Sequence, residues 1–135
     1  MPNEEDSTKN MLLLQEYQER MDEIYRQVRF MEELLGEYRR VKSALDEISK
    51  SKKGDELLLP LGGDVFIRAS LKDSSNVLTG VGGGVFTEKS VSKAMSFVDK
   101  KIESLLKEEE KLIGVSQELK AKVEELSKKL SYGES

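Results

Sequence analysis

The stretch VLTGVGGGVF, residues 77–86, packs four of the chain's ten glycines into ten positions. Backbone amides in such loops can cradle a phosphate. A P-loop, however, requires Gly-x4-Gly-Lys-Ser/Thr between a strand and a helix. No lysine follows any glycine here at that spacing. For a G-x-G-x-x-G fingerprint, Gly80 and Gly82 would need a glycine where Val85 stands, and Gly82 and Gly84 would need one where Thr87 stands. The segment also runs on into another strand, so these glycines are read as bending hairpins. A second chemical candidate is the pair Glu108 and Glu110 in KEEEK (107–111). On an exposed helix with no pocket to shift a pKa, that run serves to solvate. The chain has no His and no Cys, which removes the commonest general base, the thiolate nucleophile and most zinc chemistry. The expectation is therefore no catalytic, cofactor-binding or metal-binding residues.

The elements that carry these residues explain the composition. Charged residues make up 36% of the 135 positions and aromatics 6%, with no Trp. That surplus of charge belongs to long solvated helices rather than a thick core. A net charge of −4 argues against nucleic acid, whose binders show a basic face. The longest apolar run near the acidic, polar start is MLLL, too short for a membrane span or a signal peptide's apolar core. A cytoplasmic protein without disulfides is expected.

Seven of the ten glycines and only six charges fall in residues 54–86, between two charge-dense flanks. In the first flank Leu14, Tyr17, Met21, Ile24, Val28, Met31, Leu35 and Tyr38 recur at alternating steps of three and four, an a/d heptad seam. The next seam position is Lys42, whereas Val41, Leu45 and Ile48 resume the pattern one three-residue step early, which predicts a stammer. Asp6 and Ser7 are candidate caps, and SKSKKGD (49–55) reads as the exit. In the second flank Val91, Met95, Val98, Ile102, Leu105, Leu112, Leu119, Val123, Leu126 and Leu130 keep one register, weakened where Glu109 and Ser116 take a positions. Ser90 is its candidate cap. Gly36 and Gly114 fall at outward positions. Two helices of about 40 residues, roughly 60 Å each, with a compact insert between them, predict an antiparallel hairpin.

The insert reads as strands. Val65, Ile67, Ala69 and Leu71 alternate with Phe66, Arg68, Ser70 and Lys72. ELLLPL (56–61) is a continuous apolar run in which Pro60 favours an edge or an end. VLTGV and GVFTE flank Gly82-Gly83, a dipeptide suited to a tight primed turn. Leu61-Gly62-Gly63-Asp64 turns the earlier pair, and KDSSN (72–76) joins the two hairpins. Two hairpins cannot bury their own apolar faces and leave strand edges open. Closed assembly with copies or relatives of the chain would cover both.

A long heptad helix, then LLLPLGGDVFIRASL (57–71), VGGGVFTEKS (81–90) and a helix opening AMSFVDKKI (94–102), resembles the α-type subunit of prefoldin, especially the archaeal kind. VGGGV is similar to that family's V-G-x-G-V, and a two-hairpin insert separates α-type from one-hairpin β-type subunits. The resemblance implies an α+β fold in one domain: coiled-coil helix 1 over 7–50, two β-hairpins over 56–88 and coiled-coil helix 2 over 90–132. The hairpins would join an oligomeric double β-barrel, with Leu57, Leu59, Val65, Ile67, Leu71, Val77, Val81, Val85 and Phe86 in the hub. It further implies a hexamer of two α and four β subunits that holds unfolded or nascent polypeptides without ATP and passes them to a group II chaperonin.

In an antiparallel arm the free tip holds the start of helix 1 and the end of helix 2. With Leu14 at a, the residues Met11, Leu12 and Leu13 take e, f and g, and four consecutive positions sweep most of the circumference. Leu12 should be exposed, with Met11 and Leu13 partly so, and Leu126, Leu130 and Tyr132 add apolar surface across the tip. Flexible Met and Leu suit varied clients. The alternative is that MLLL packs against the last turn of helix 2. For the whole chain, the alternative is a structural coiled-coil hub or filament former that binds no clients.

Overall fold

The computed structural model describes residues 4–133, with side chains through Ser131. Helix α1 (Glu4–Lys50) leads to strands β1 (Glu56–Gly62), β2 (Val65–Ser70), β3 (Asn76–Gly82) and β4 (Val85–Ser90), and helix α2 (Val91–Gly133) follows. No proline interrupts either helix.

The chain forms two compact units. In the helical unit, the part of α1 up to Leu35 packs with the part of α2 from Ser104. Its buried residues Ile24, Leu35, Leu119 and Leu126 all sit at a or d, and the Lys122 ammonium lies 5.6 Å from the Tyr17 ring centroid. Ser116 is buried at an a position, where its hydroxyl donates to the Ile113 carbonyl at 2.7 Å, so the seam tolerates the polar residue. The β-bearing unit runs from Gly36 to Glu103. There Leu45, Val91, Ala94 and Val98 form a buried cluster, flanked by Tyr38, Ile48, Val77, Met95 and Ile102. Each fully buried aliphatic side chain in such a cluster stabilises by about 1.5–3 kcal/mol.

Three sequence expectations are corrected. The helix is already formed at Glu4, ahead of residue 7, so Asp6 and Ser7 lie within it rather than cap it. Glu4, Glu5 and Asp6 complement the positive end of the helix there, and Thr8 Oγ1 donates to the Glu4 carbonyl at 2.8 Å. Val41 is 41% exposed and does not take the seam place that the stammer gives it, but Ile48 does: it packs against the buried cluster around Leu45, whereas Ser49, the next position of an unshifted register, is exposed. Lys42, the unshifted alternative to Val41, is exposed as well, and its ammonium pairs with Asp99 at 2.7 Å. Finally, the second turn is centred on Gly83-Gly84 rather than Gly82-Gly83. Both central residues are left-handed, at φ 60° and 75°.

The two hairpins repeat at an interval of twenty residues. Leu59 pairs with Ile67 and Thr79 with Thr87; Pro60 pairs with Phe66 and Gly80 with Phe86. The register breaks between Pro60 and Gly62 in one hairpin and between Gly80 and Gly82 in the other. Gly63-Asp64 takes the place of Gly83-Gly84, with φ 57° and 62°. Left-handed φ at both central positions matches the strand twist and explains the glycines. Strand β4 continues to Ser90, whose hydroxyl then caps α2 by accepting from the Lys93 amide at 3.1 Å.

Candidate functional site

The insert is tied to the helices by its ends. At the first hairpin, Gly54 N–H donates to the Leu71 carbonyl at 2.7 Å and Leu71 N–H to the Asp55 carbonyl at 2.8 Å. The Asp55 carboxylate accepts from Lys52 N–H at 2.8 Å. At the second, Val91 N–H donates to the Ser75 carbonyl at 2.9 Å. Between them, Asp73 Oδ1 accepts from the amides of Ser75 at 2.8 Å and Asn76 at 3.3 Å, an Asx turn. The Ser75 amide is the main reason that the Asp73 carboxyl is held below its ordinary pKa.

Beyond these anchors the hairpins stand uncovered. Leu59, Leu61, Val65, Phe66, Ile67, Val81, Val85 and Phe86 are all exposed, as are Leu58 at 64% and Leu78 at 74%. Each sheet has two strands, so among the described residues every strand keeps one open edge. A run of apolar side chains on open-edged sheets is a surface built to be covered.

Of the nine expected hub residues, Leu59, Val65, Ile67, Val81, Val85 and Phe86 share this surface. Leu57 and Leu71 are half-buried near the hairpin base. Val77 packs against the helical cluster, so much of its apolar area is used within the chain. Sequence reasoning passed over Phe66 because the alternation in 65–72 was read as a single apolar face, and it left out Leu58, Leu61 and Leu78 although ELLLPL (56–61) and VLTGV (77–81) were read as strands. The twenty-residue repeat was the signal available: Phe66 matches Phe86, and Leu58 matches Leu78.

In the helical unit, Met11 and Leu12 are 57% and 62% exposed, while Leu13 and Leu14 are half-buried. Leu126 is only 7% exposed. It was expected to add surface, but its d position turns it into the seam. Leu130 is half-buried, and the Tyr132 side chain lies outside the described residues. Tyr25 and Phe30 are exposed farther along α1. Among the described residues no group of three or more His, Cys, Asp or Glu is placed to hold a metal ion, and no helix is long and apolar enough to cross a membrane.

Paired long helices joined through uncovered hairpins define a class of oligomeric coiled-coil subunit. The prefoldin-subunit family pattern matches residues 17–132. The chain is 28% identical over 131 residues to prefoldin subunit alpha of Archaeoglobus fulgidus, covering 97% of this chain and 96% of that protein. It is 32% identical over 84 residues to prefoldin subunit alpha of Thermofilum pendens, covering 62% of this chain and 65% of that one. A filamentous prefoldin from Methanocaldococcus jannaschii has the same fold, with a TM-score of 0.70 at 19% identity, over 85% of this chain and 95% of that one. The chain belongs to the prefoldin family, as an α-type subunit. It is a chaperone subunit, and its uncovered sheets are suited to assembly with other prefoldin subunits.

Proposed function

We propose that this subunit holds unfolded or nascent polypeptides at the ends of its helices, without ATP, within a hexamer of two α and four β-type subunits that delivers them to a group II chaperonin in the cytoplasm. The observation that carries the client role is the exposure of Met11 and Leu12 side by side at the start of α1. A helix that only needed to close its seam would place polar residues at e and f. Leu13 and Leu14 follow them half-buried, Leu130 is half-buried near the end of α2, and Tyr132 completes the proposed set. Thioether and isobutyl side chains repack against varied apolar segments. Each contact is weak, and several ends on one assembly raise avidity by about 10²–10⁴.

Leu59, Val65, Ile67, Val81, Val85 and Phe86 carry assembly, joined by Leu58, Leu61, Phe66 and Leu78 and bordered by Leu57, Leu71 and Val77. The chain contributes no catalysis: it lacks His and Cys, and its role is met by surface rather than by a reacting group.

The test is the double variant Met11→Ser/Leu12→Ser in the assembled complex. Suppression of aggregation of a chemically denatured client should fall several-fold while the native mass stays unchanged. Full protection by a correctly assembled variant would overturn the client assignment.

A further inference from the structure

On a chain of net charge −4, residues 89–101, KSVSKAMSFVDKK, hold four lysines and one carboxylate. That carboxylate, Asp99, is taken by Lys42 at 2.7 Å. Lys93, Phe97, Lys100 and Lys101 follow one another at helical steps of four, three and one, and so share the outward face of the first turns of α2. Lys89 joins them from β4. It stands opposite Val77, on the sheet face that packs toward the helices, and its long stem carries the ammonium to 4.8 Å from the centroid of the Phe97 ring. The Lys101 ammonium lies 5.4 Å from the same centroid. Phe97 itself remains 39% exposed. Lys89 and Lys93 also line an open cleft with Asn76, Glu88 and Ser90. Among the described residues none of these four lysines forms an ion pair.

We propose that this face, centred on Phe97, is a docking site for an acidic polypeptide segment. Two ammoniums drawn to one ring concentrate positive charge around it, and carboxylates of a partner would offset that charge while using donors the ring leaves free. The ring also holds both lysine stems in place before binding, which lowers the entropy lost when the partner arrives. Nucleic acid fits less well. The patch contains no arginine for bidentate phosphate contacts, it is short, and the chain as a whole is acidic. The site shares no residue with the exposed pair at the start of α1 or with the apolar hairpin surface, so it stands apart from both proposed roles.

The assembled complex is titrated into a labelled oligo-glutamate peptide, with oligo-glutamine as the uncharged control and a DNA duplex as a separate probe. Wild type should bind oligo-glutamate, prefer it to both other probes, and release it at high salt. Lys89→Gln/Lys101→Gln should weaken binding about tenfold, and Phe97→Ala about threefold through the lysines it no longer orders. Lys128→Gln/Lys129→Gln, remote in sequence and with the same loss of charge, should bind as wild type does. Absent binding by wild type, equal losses in the two lysine pairs, or tighter binding of the duplex would each overturn the proposal. Native mass confirms that every variant remains assembled.

Discussion

Hairpin β1–β2 and hairpin β3–β4 share a backbone and differ in what they display. Registers, bulges and left-handed turns coincide twenty residues apart. Where the first hairpin sets Leu57 against Ala69 and Leu59 against Ile67, the second sets Val77 against Lys89 and Thr79 against Thr87. On the opposite face Leu58–Arg68 is matched by Leu78–Glu88, and Pro60–Phe66 by Gly80–Phe86. One hairpin thus offers an unbroken aliphatic face, and the other interrupts the same face with hydroxyls and an ammonium. Conformation is written in the turn residues and the alternation, whereas choice of partner is written in side chains the backbone does not need.

A charge on each face should break the symmetry most visibly. Ile67→Asp places a carboxylate where only aliphatic neighbours are available, and burying it unpaired would cost several kcal/mol. The assembled particle should be lost, as read by native mass. Thr87→Asp, at the equivalent place, meets a more polar face and should leave much of the particle intact. Equal loss in both would mean that the two faces are covered alike. The turns test the shared backbone instead. Gly83→Val puts a β-branched residue at φ 60° and should destabilise by about 1–2 kcal/mol, seen as a lower melting temperature. Gly84→Asp should change it little, because Asp64 already holds the same place at φ 62°.

The smallest effect belongs to the loop between the hairpins. The Asp73 carboxyl has a lowered pKa, chiefly through the Ser75 amide, so its contribution is present at neutral pH and is lost as pH falls through that lowered value. Asp73→Ala should remove this acid-side slope from the stability profile and leave the rest of the profile in place.

Most of the fold was legible because two periods dominate the sequence. Every seam position from Val91 to Leu130 avoids full exposure, as the heptad demands, and Ser90 caps as a serine before a helix should. Misses arose where a local pattern had two solutions. The stammer was half right: Ile48 packs as it requires, but Val41 stays exposed next to Lys42, whose partner Asp99, fifty-seven residues away, was invisible to a local pattern. Leu126 looked like surface because it lies near the chain's end, yet its register position decided its burial. The candidate interaction surface was half visible: odd-numbered residues of the first hairpin were found by alternation, and Leu58, Phe66 and Leu78 needed the comparison between hairpins. The place of Lys89 against Phe97 was not readable, since it depends on how β4 lies along α2, whereas Phe97 and Lys101 stand four residues apart on one helix.

The Lys42–Asp99 pair has a consequence for how the two helices find each other. Heptad seams are periodic, and apolar knobs alone would accept a slip of seven residues nearly as well as the native match. Such a slip would set Lys42 against Leu106 or Ser92 in place of Asp99, and no carboxylate would be waiting. At roughly half exposure the pair adds little to stability. It is therefore a small bias toward one alignment, added to the larger one set by the buried Leu45, Val91, Ala94 and Val98 and by the backbone anchors of the hairpins.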